Sequence, residues 1–159
     1  MYDALLFDLD GTLIDTESVA MRAGMEAFAA LGHKVEHAFM QRLVGIDLPT
    51  SALIIADAIP GLDQDALQDL WRDGFVAKIN QNLPLKPGVI ELLERRHRPM
   101  AVVTSSGRAE AHNKLKLAGL ADYFETVVTL ADVTAPKPAP EAYLLAAARL
   151  GVAPVRCLV

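Results

Sequence analysis

Cysteine is nearly absent from this chain. Cys157 is the single one among 159 residues, so no disulfide can form within a monomer and the fold rests on its packed core. Its apolar neighbours in "VRCLV" mark it as a small buried hydrophobe. Long apolar runs are absent as well. Hydrophobic residues make up 52% of the chain, yet no stretch approaches the roughly 18 residues of a membrane span. Excess positive charge is missing too. Fifteen Lys and Arg stand against 20 Asp and Glu, a formal net charge of −5. That balance speaks against a nucleic-acid or anionic-membrane surface. It leaves an anionic small substrate open, because a bound cation reverses the local charge. The opening "MYDALLFDLDG" lacks the basic region of a signal peptide. With the lone cysteine, this predicts a cytoplasmic protein. The histidines at 33, 37, 97 and 112 share no metal-ligand spacing. Repeats and low-complexity tracts are also absent, and no feature calls for an obligate protein partner.

What is present is a rhythm of short apolar runs and helical segments. "ALLFD" (4–8), "MAVVT" (100–104), "TVVTL" (126–130) and "VRCLV" (155–159) are nearly continuous in apolar residues, as strands covered on both faces are. Between the last three, "RAEAHNKLKLAGL" and "PEAYLLAAARLG" carry helical patterns that stop at Gly119 and Gly151, with Pro140 at a first helical position. Alternating strands and helices predict an α/β fold, a Rossmann-like doubly wound parallel sheet with right-handed crossovers.

The stretch between the first two strands departs from this rhythm. It holds four helical segments and no strand, and is too long for a simple crossover. It predicts an inserted all-helical cap over residues 16–83, with the catalytic core formed by 1–15 and 84–159. Trp71 belongs to the core of the cap. The basic cluster "LERRHR" (93–98) reads as a solvated face near a helix C-terminus.

The first strand runs straight into carboxylates, and this is where chemistry enters. In open parallel sheets, ligands bind beyond the carboxyl ends of the strands. "ALLFD" puts Asp8 at that end, Asp10 follows two residues on, and Gly11 permits a tight turn. Two carboxylates so close repel each other unless a cation or a proton intervenes. Mg²⁺ is the natural cation for oxygen donors. One carboxylate is then placed to attack phosphorus and the other to handle the leaving group's proton. A plain strand followed by an Asp-Gly turn is the structural alternative.

"DLDGTLIDTE" (8–17) resembles the first motif of the haloacid dehalogenase superfamily of phosphohydrolases, D-x-D-G-T/V. The second motif, a Ser or Thr after an apolar strand, is matched by Thr104 in "AVVTSSGR". The third, a Lys before a helix, is matched by Lys137 in "PKPAPE". The order fits, with the helical insert between the first two motifs. The chain is most similar to the subgroup that holds phosphoglycolate phosphatases, sugar-phosphate phosphatases and beta-phosphoglucomutases.

The resemblance implies a set of roles. Asp8 is the nucleophile that becomes an aspartyl phosphate, and Asp10 is the general acid and base. Mg²⁺ is the cofactor, held by the Asp8 carboxylate and the Asp10 backbone carbonyl. Thr104 donates its hydroxyl to a phosphoryl oxygen, the Ser105 amide adds a second bond, and Lys137 offsets charge. The cap loop with Gly45, Ile46 and Asp47 faces the active site and helps choose the substrate. Asp15 and Glu17 begin the first cap helix, where acidic residues suit the dipole.

The expected activity is Mg²⁺-dependent hydrolysis of a small phosphomonoester, a phosphorylated metabolite of the sugar-phosphate kind. A beta-phosphoglucomutase-like mutase is the alternative within enzymes. Ala20 and Leu48 count against it, standing where those mutases carry His and Arg. A dehalogenase has no need of the acid and base that Asp10 supplies. A non-catalytic homologue is the alternative outside enzymes. The family's fourth motif, an acidic pair after the next strand, has no counterpart before Val159. The sequence therefore reads as C-terminally truncated, with the expectation that this chain is poorly active.

Overall fold

The computed structural model describes residues 1–95 and 97–159. Arg96, within the basic cluster read from the sequence, lies outside the described residues. The chain divides into two compact units, one formed by Met1–Asp15 with Leu83–Val159 and the other by Thr16–Asn82.

The first unit is built on β1 (Ala4–Phe7), β2 (Met100–Val103), β3 (Thr126–Val128) and β4 (Cys157–Leu158). All are parallel, in the order β3-β2-β1-β4. Register pairs Leu5 with Met100, Val102 with Val127 and Ala4 with Cys157. Each residue of β2 is buried, which explains its unbroken apolar run. Around the sheet run α5 (Val89–Glu94), α6 (Arg108–Leu117) and α7 (Glu141–Leu150). Ala142 and Ala146 of α7 pack against Leu6, Ala101, Val103 and Val128. Small residues at this contact let helix and sheet approach closely. Pro140 is the N-cap of α7, so the helix starts one residue later than its sequence pattern predicts. Gly151 ends it at φ +69°, a left-handed value that costs glycine little.

The second unit contains α1 (Thr16–Ala30), α2 (His37–Gln41), α3 (Leu48–Ala58) and α4 (Gln64–Gln81), and no strand among its described residues. Its core joins Ala27, Phe28, Met40, Leu43, Ile55 and Leu67, with Trp71 packed against them. The Trp71 indole N–H donates to the Ala20 carbonyl at 2.8 Å, pinning α4 to α1. Glu17 stands in the first turn of α1. Among the described residues, no helix is long and apolar enough to cross a membrane.

Candidate functional site

β1 ends at Phe7, and the next three residues alternate. Leu9 is fully buried, while Asp8 and Asp10 both line one pocket at the carboxyl end of the sheet. Gly11 then turns the chain at φ +76°. The amides of Leu13 and Ile14 donate back to the Leu9 carbonyl at 3.0 and 3.2 Å. The apolar anchors Leu9, Leu13 and Ile14 are buried beneath the loop, which holds the two carboxylates at its surface. Asp15 closes the loop through a 2.8 Å ion pair with Lys86.

The pocket has a volume of about 490 Å³. It brings Asp8, Asp10, Thr104, Ser105 and Lys137 together, although they are far apart in sequence. Asp8 Oδ1 accepts from Lys137 Nζ at 2.6 Å. The same ammonium reaches the Val103 carbonyl at 3.2 Å and lies 5.8 Å from the centre of the Tyr143 ring. Its loop is fixed from α7, where the Glu141 carboxylate accepts from the amides of Thr134 and Ala135 at 2.9 and 2.7 Å. Those two bonds hold the Glu141 pKa below its ordinary value.

Thr104 follows β2 directly. Its amide donates to the Val128 carbonyl at 2.9 Å, which extends the sheet by one rung. Its hydroxyl oxygen accepts from the Ser106 amide at 3.1 Å. That leaves the hydroxyl hydrogen to donate elsewhere. Ser105 is exposed at the mouth of the pocket.

Three polar lining residues escaped the sequence reading: Ser106, Glu110 and Lys114. Lys114 is buried on the inner face of α6 beside Ala111 and Leu115. Its ammonium donates to Asp10 Oδ1 at 2.7 Å and Ser106 Oγ at 3.2 Å, and pairs with Glu110 at 2.5 Å. Ser106 Oγ donates to Asp10 Oδ2 at 3.0 Å. Burial works against the Lys114 charge, but its bonds to Asp10 and Glu110 outweigh that and raise its pKa. A signal was available: at positions 111, 114 and 115 a lysine interrupts an apolar stripe, and Glu110 stands four residues before it.

The remaining sequence candidates belong to the other unit. Gly45 turns the chain at φ +74°. Ile46 lines an apolar cavity of about 530 Å³ with Leu43, Leu48, Trp71 and Phe75. Asp47 is the N-cap of α3: its carboxylate accepts from the Thr50 amide at 3.0 Å and hydroxyl at 2.8 Å. Those bonds lower its pKa.

The pocket's charges decide what it can receive. Asp8, Asp10 and Glu110 set three carboxyl groups against the two ammonium groups of Lys114 and Lys137. A phosphate dianion added to this balance needs a further cation. Among the described residues no group of three or more His, Cys, Asp or Glu is arranged to hold one. Asp8, with 36% of its side chain exposed, still offers carboxylate oxygen. Such a hard oxygen donor fits Mg²⁺, which keeps several waters and shares its shell with substrate phosphate.

Comparison with known proteins shows the family. A family model described as haloacid dehalogenase-like hydrolase matches residues 5–159. The chain is 35% identical to "Fructose-1-phosphate phosphatase YqaB" of Escherichia coli, covering 99% of this chain and 85% of that protein. It is 29% identical to "Phosphorylated carbohydrates phosphatase" of Thermotoga maritima, covering 99% of this chain and 74% of that protein. A crystal structure of a hydrolase of the same family from Deinococcus radiodurans, with bound phosphate and sodium, superposes with a TM-score of 0.82 at 25% identity, covering 98% of this chain and 70% of that one. The chain belongs to the haloacid dehalogenase-like hydrolases.

Proposed function

We propose that this haloacid dehalogenase-like hydrolase is a Mg²⁺-dependent phosphatase of small phosphomonoesters, sugar phosphates above all. The observation that carries the reading is the Asp8–Lys137 pair, 2.6 Å apart in a pocket that also holds Asp10 and Thr104. A carboxylate beside a fixed ammonium is poised to attack phosphorus while the approaching negative charge is offset. The names of the E. coli and T. maritima relatives support phosphorylated sugars as the substrate class. The cytoplasm, where thiols stay reduced, suits a chain with one free cysteine.

The chemistry runs in two halves. In the first, an Asp8 oxygen attacks phosphorus, the bond to the leaving oxygen breaks, and Asp10 gives that oxygen a proton. In the second, the Asp10 carboxylate takes a proton from water as the water attacks the aspartyl phosphate, which frees phosphate and restores Asp8. Thr104 donates its hydroxyl hydrogen and Ser105 its amide to the phosphoryl oxygens, and Lys137 offsets charge through both halves. Mg²⁺ would be held by the Asp8 carboxylate and the Asp10 carbonyl and would supply the further positive charge that a phosphate dianion needs. Gly45, Ile46 and Asp47 belong to the part of the cap that we assign to substrate choice.

The test is turnover of p-nitrophenyl phosphate and a panel of sugar phosphates, with and without Mg²⁺, by wild type and Asp8→Asn. Mg²⁺-dependent release of phosphate by wild type alone supports the reading. Equal release by Asp8→Asn overturns it.

A further inference from the structure

We propose that Lys114, backed by Ser106, is the positioning residue of Asp10 and sets the rate at which the aspartyl phosphate is cleared. The proposal rests on the assignment of Asp10 as acid and base. It starts from a buried lysine that the reaction scheme leaves unused. Only 4% of the Lys114 side chain is exposed, and a buried ammonium is tolerated only where partners compensate it.

Those partners form a closed set. Lys114 Nζ donates to Asp10 Oδ1 and to Ser106 Oγ, and Ser106 Oγ donates to Asp10 Oδ2. Both oxygens of Asp10 are therefore held, one by each neighbour. The carboxylate cannot turn about its own axis without breaking a bond. Glu110, half exposed, takes up the rest of the lysine's charge at the pocket rim. Lys137 serves Asp8 and the Val103 carbonyl instead. The two lysines thus divide the two carboxylates between them.

An acid and base must lie within about 2.6–3.2 Å of the atom whose proton it moves. A misplacement of about 1 Å costs on the order of 10²-fold. Orientation of Asp10 matters most where a proton must move. p-Nitrophenolate leaves without one, so the first half of its hydrolysis proceeds with little help from Asp10. Attack of water on the aspartyl phosphate still needs Asp10 to take a proton. Loss of Lys114 must therefore slow the second half and largely spare the first. A contact that merely held α6 in place would slow both alike.

The experiment is rapid-quench kinetics of p-nitrophenyl phosphate at saturating Mg²⁺, comparing wild type, Lys114→Met and Ser106→Ala. For Lys114→Met the expected result is a burst of nitrophenolate close to one per enzyme. A steady state slower than wild type by about 10²-fold follows it. Phosphorylated enzyme accumulates to match the burst. Ser106→Ala shows the same pattern with a smaller loss. It also keeps the test open should Lys114→Met fail to fold. Equal slowing of both phases, or no slowing in either variant, overturns the proposal. A wild type that releases no nitrophenolate, or an Asp8→Asn variant that releases it as fast, instead overturns the phosphatase reading beneath it.

Discussion

At the scale of single residues, the pocket is organised by ion pairs of different burial. Lys137 stands 2.6 Å from Asp8, with one fifth of its side chain exposed. Replacing it by Met removes the charge that offsets both nucleophile and phosphate. Turnover of p-nitrophenyl phosphate should fall by about 10²–10³-fold, with thermal stability little changed. Asp132 is the opposite case, a buried carboxylate with a structural task. It accepts from the Thr129 hydroxyl at 2.6 Å and from Arg149 and Arg108 at 2.7 and 2.8 Å. The Thr129 bond, aided by Arg149, depresses its pKa against the opposing effect of burial. Its folded pKa therefore lies below the ordinary 3.8. The stabilisation is complete above that ordinary value and fades as the pH falls toward the folded one. Asp132→Asn should cost about 2 kcal/mol at neutral pH in urea unfolding. The difference from wild type should shrink in strong acid. A constant difference down to the lowest pH would contradict this account.

At the scale of elements, α1 and α4 meet where Gly24 leaves room for Trp71. A Cβ on Gly24 would lie 2.6 Å from the Trp71 ring and closer still to the Met40 side chain. The methionine can move, but the indole is held by its bond to the Ala20 carbonyl. Gly24→Ala gains about 1 kcal/mol of helix propensity yet should lose about 1–3 kcal/mol to overpacking. A lower melting temperature is the expected net result, and a raised one would show that the indole yields.

Elements were also what could be read most directly from sequence. β1 and β2 are apolar on both faces, so their runs stand out, and Gly119 and Gly151 mark helix ends by left-handed turns. β4 is only two residues long, shorter than its apolar run suggests. The motif residues Asp8, Thr104 and Lys137 each follow a strand or precede a helix, positions that sequence pattern reveals. Ser106 and Lys114 do not. Their bonds to Asp10 span 96 and 104 residues of chain. Such a contact is created only when the fold brings α6 beside the Asp10 loop, and it leaves only an oddly placed lysine as its trace. Asp47, read from the sequence as part of the substrate-choosing loop, serves as the N-cap of α3, which its place before Leu-Pro-Thr suits.

At the scale of the whole molecule, the proposed reaction needs a cation in the pocket that holds Asp8 and Asp10. Under the proposed reaction, removing Mg²⁺ with EDTA should abolish p-nitrophenyl phosphate turnover and adding it back should restore it. Titrating Mg²⁺ against p-nitrophenyl phosphate turnover, after chelation by EDTA, measures this directly. Turnover that EDTA leaves unchanged would contradict this.

The central claim is that Asp8 carries the phosphoryl group. Its most direct test is to quench the enzyme in acid during turnover of p-nitrophenyl phosphate and map phosphorylation by peptide mass spectrometry. The account predicts a phosphoryl group on Asp8, present in wild type, enriched in Lys114→Met and absent from Asp8→Asn. Turnover with Asp8 unlabelled, or with the label on another residue, would contradict it.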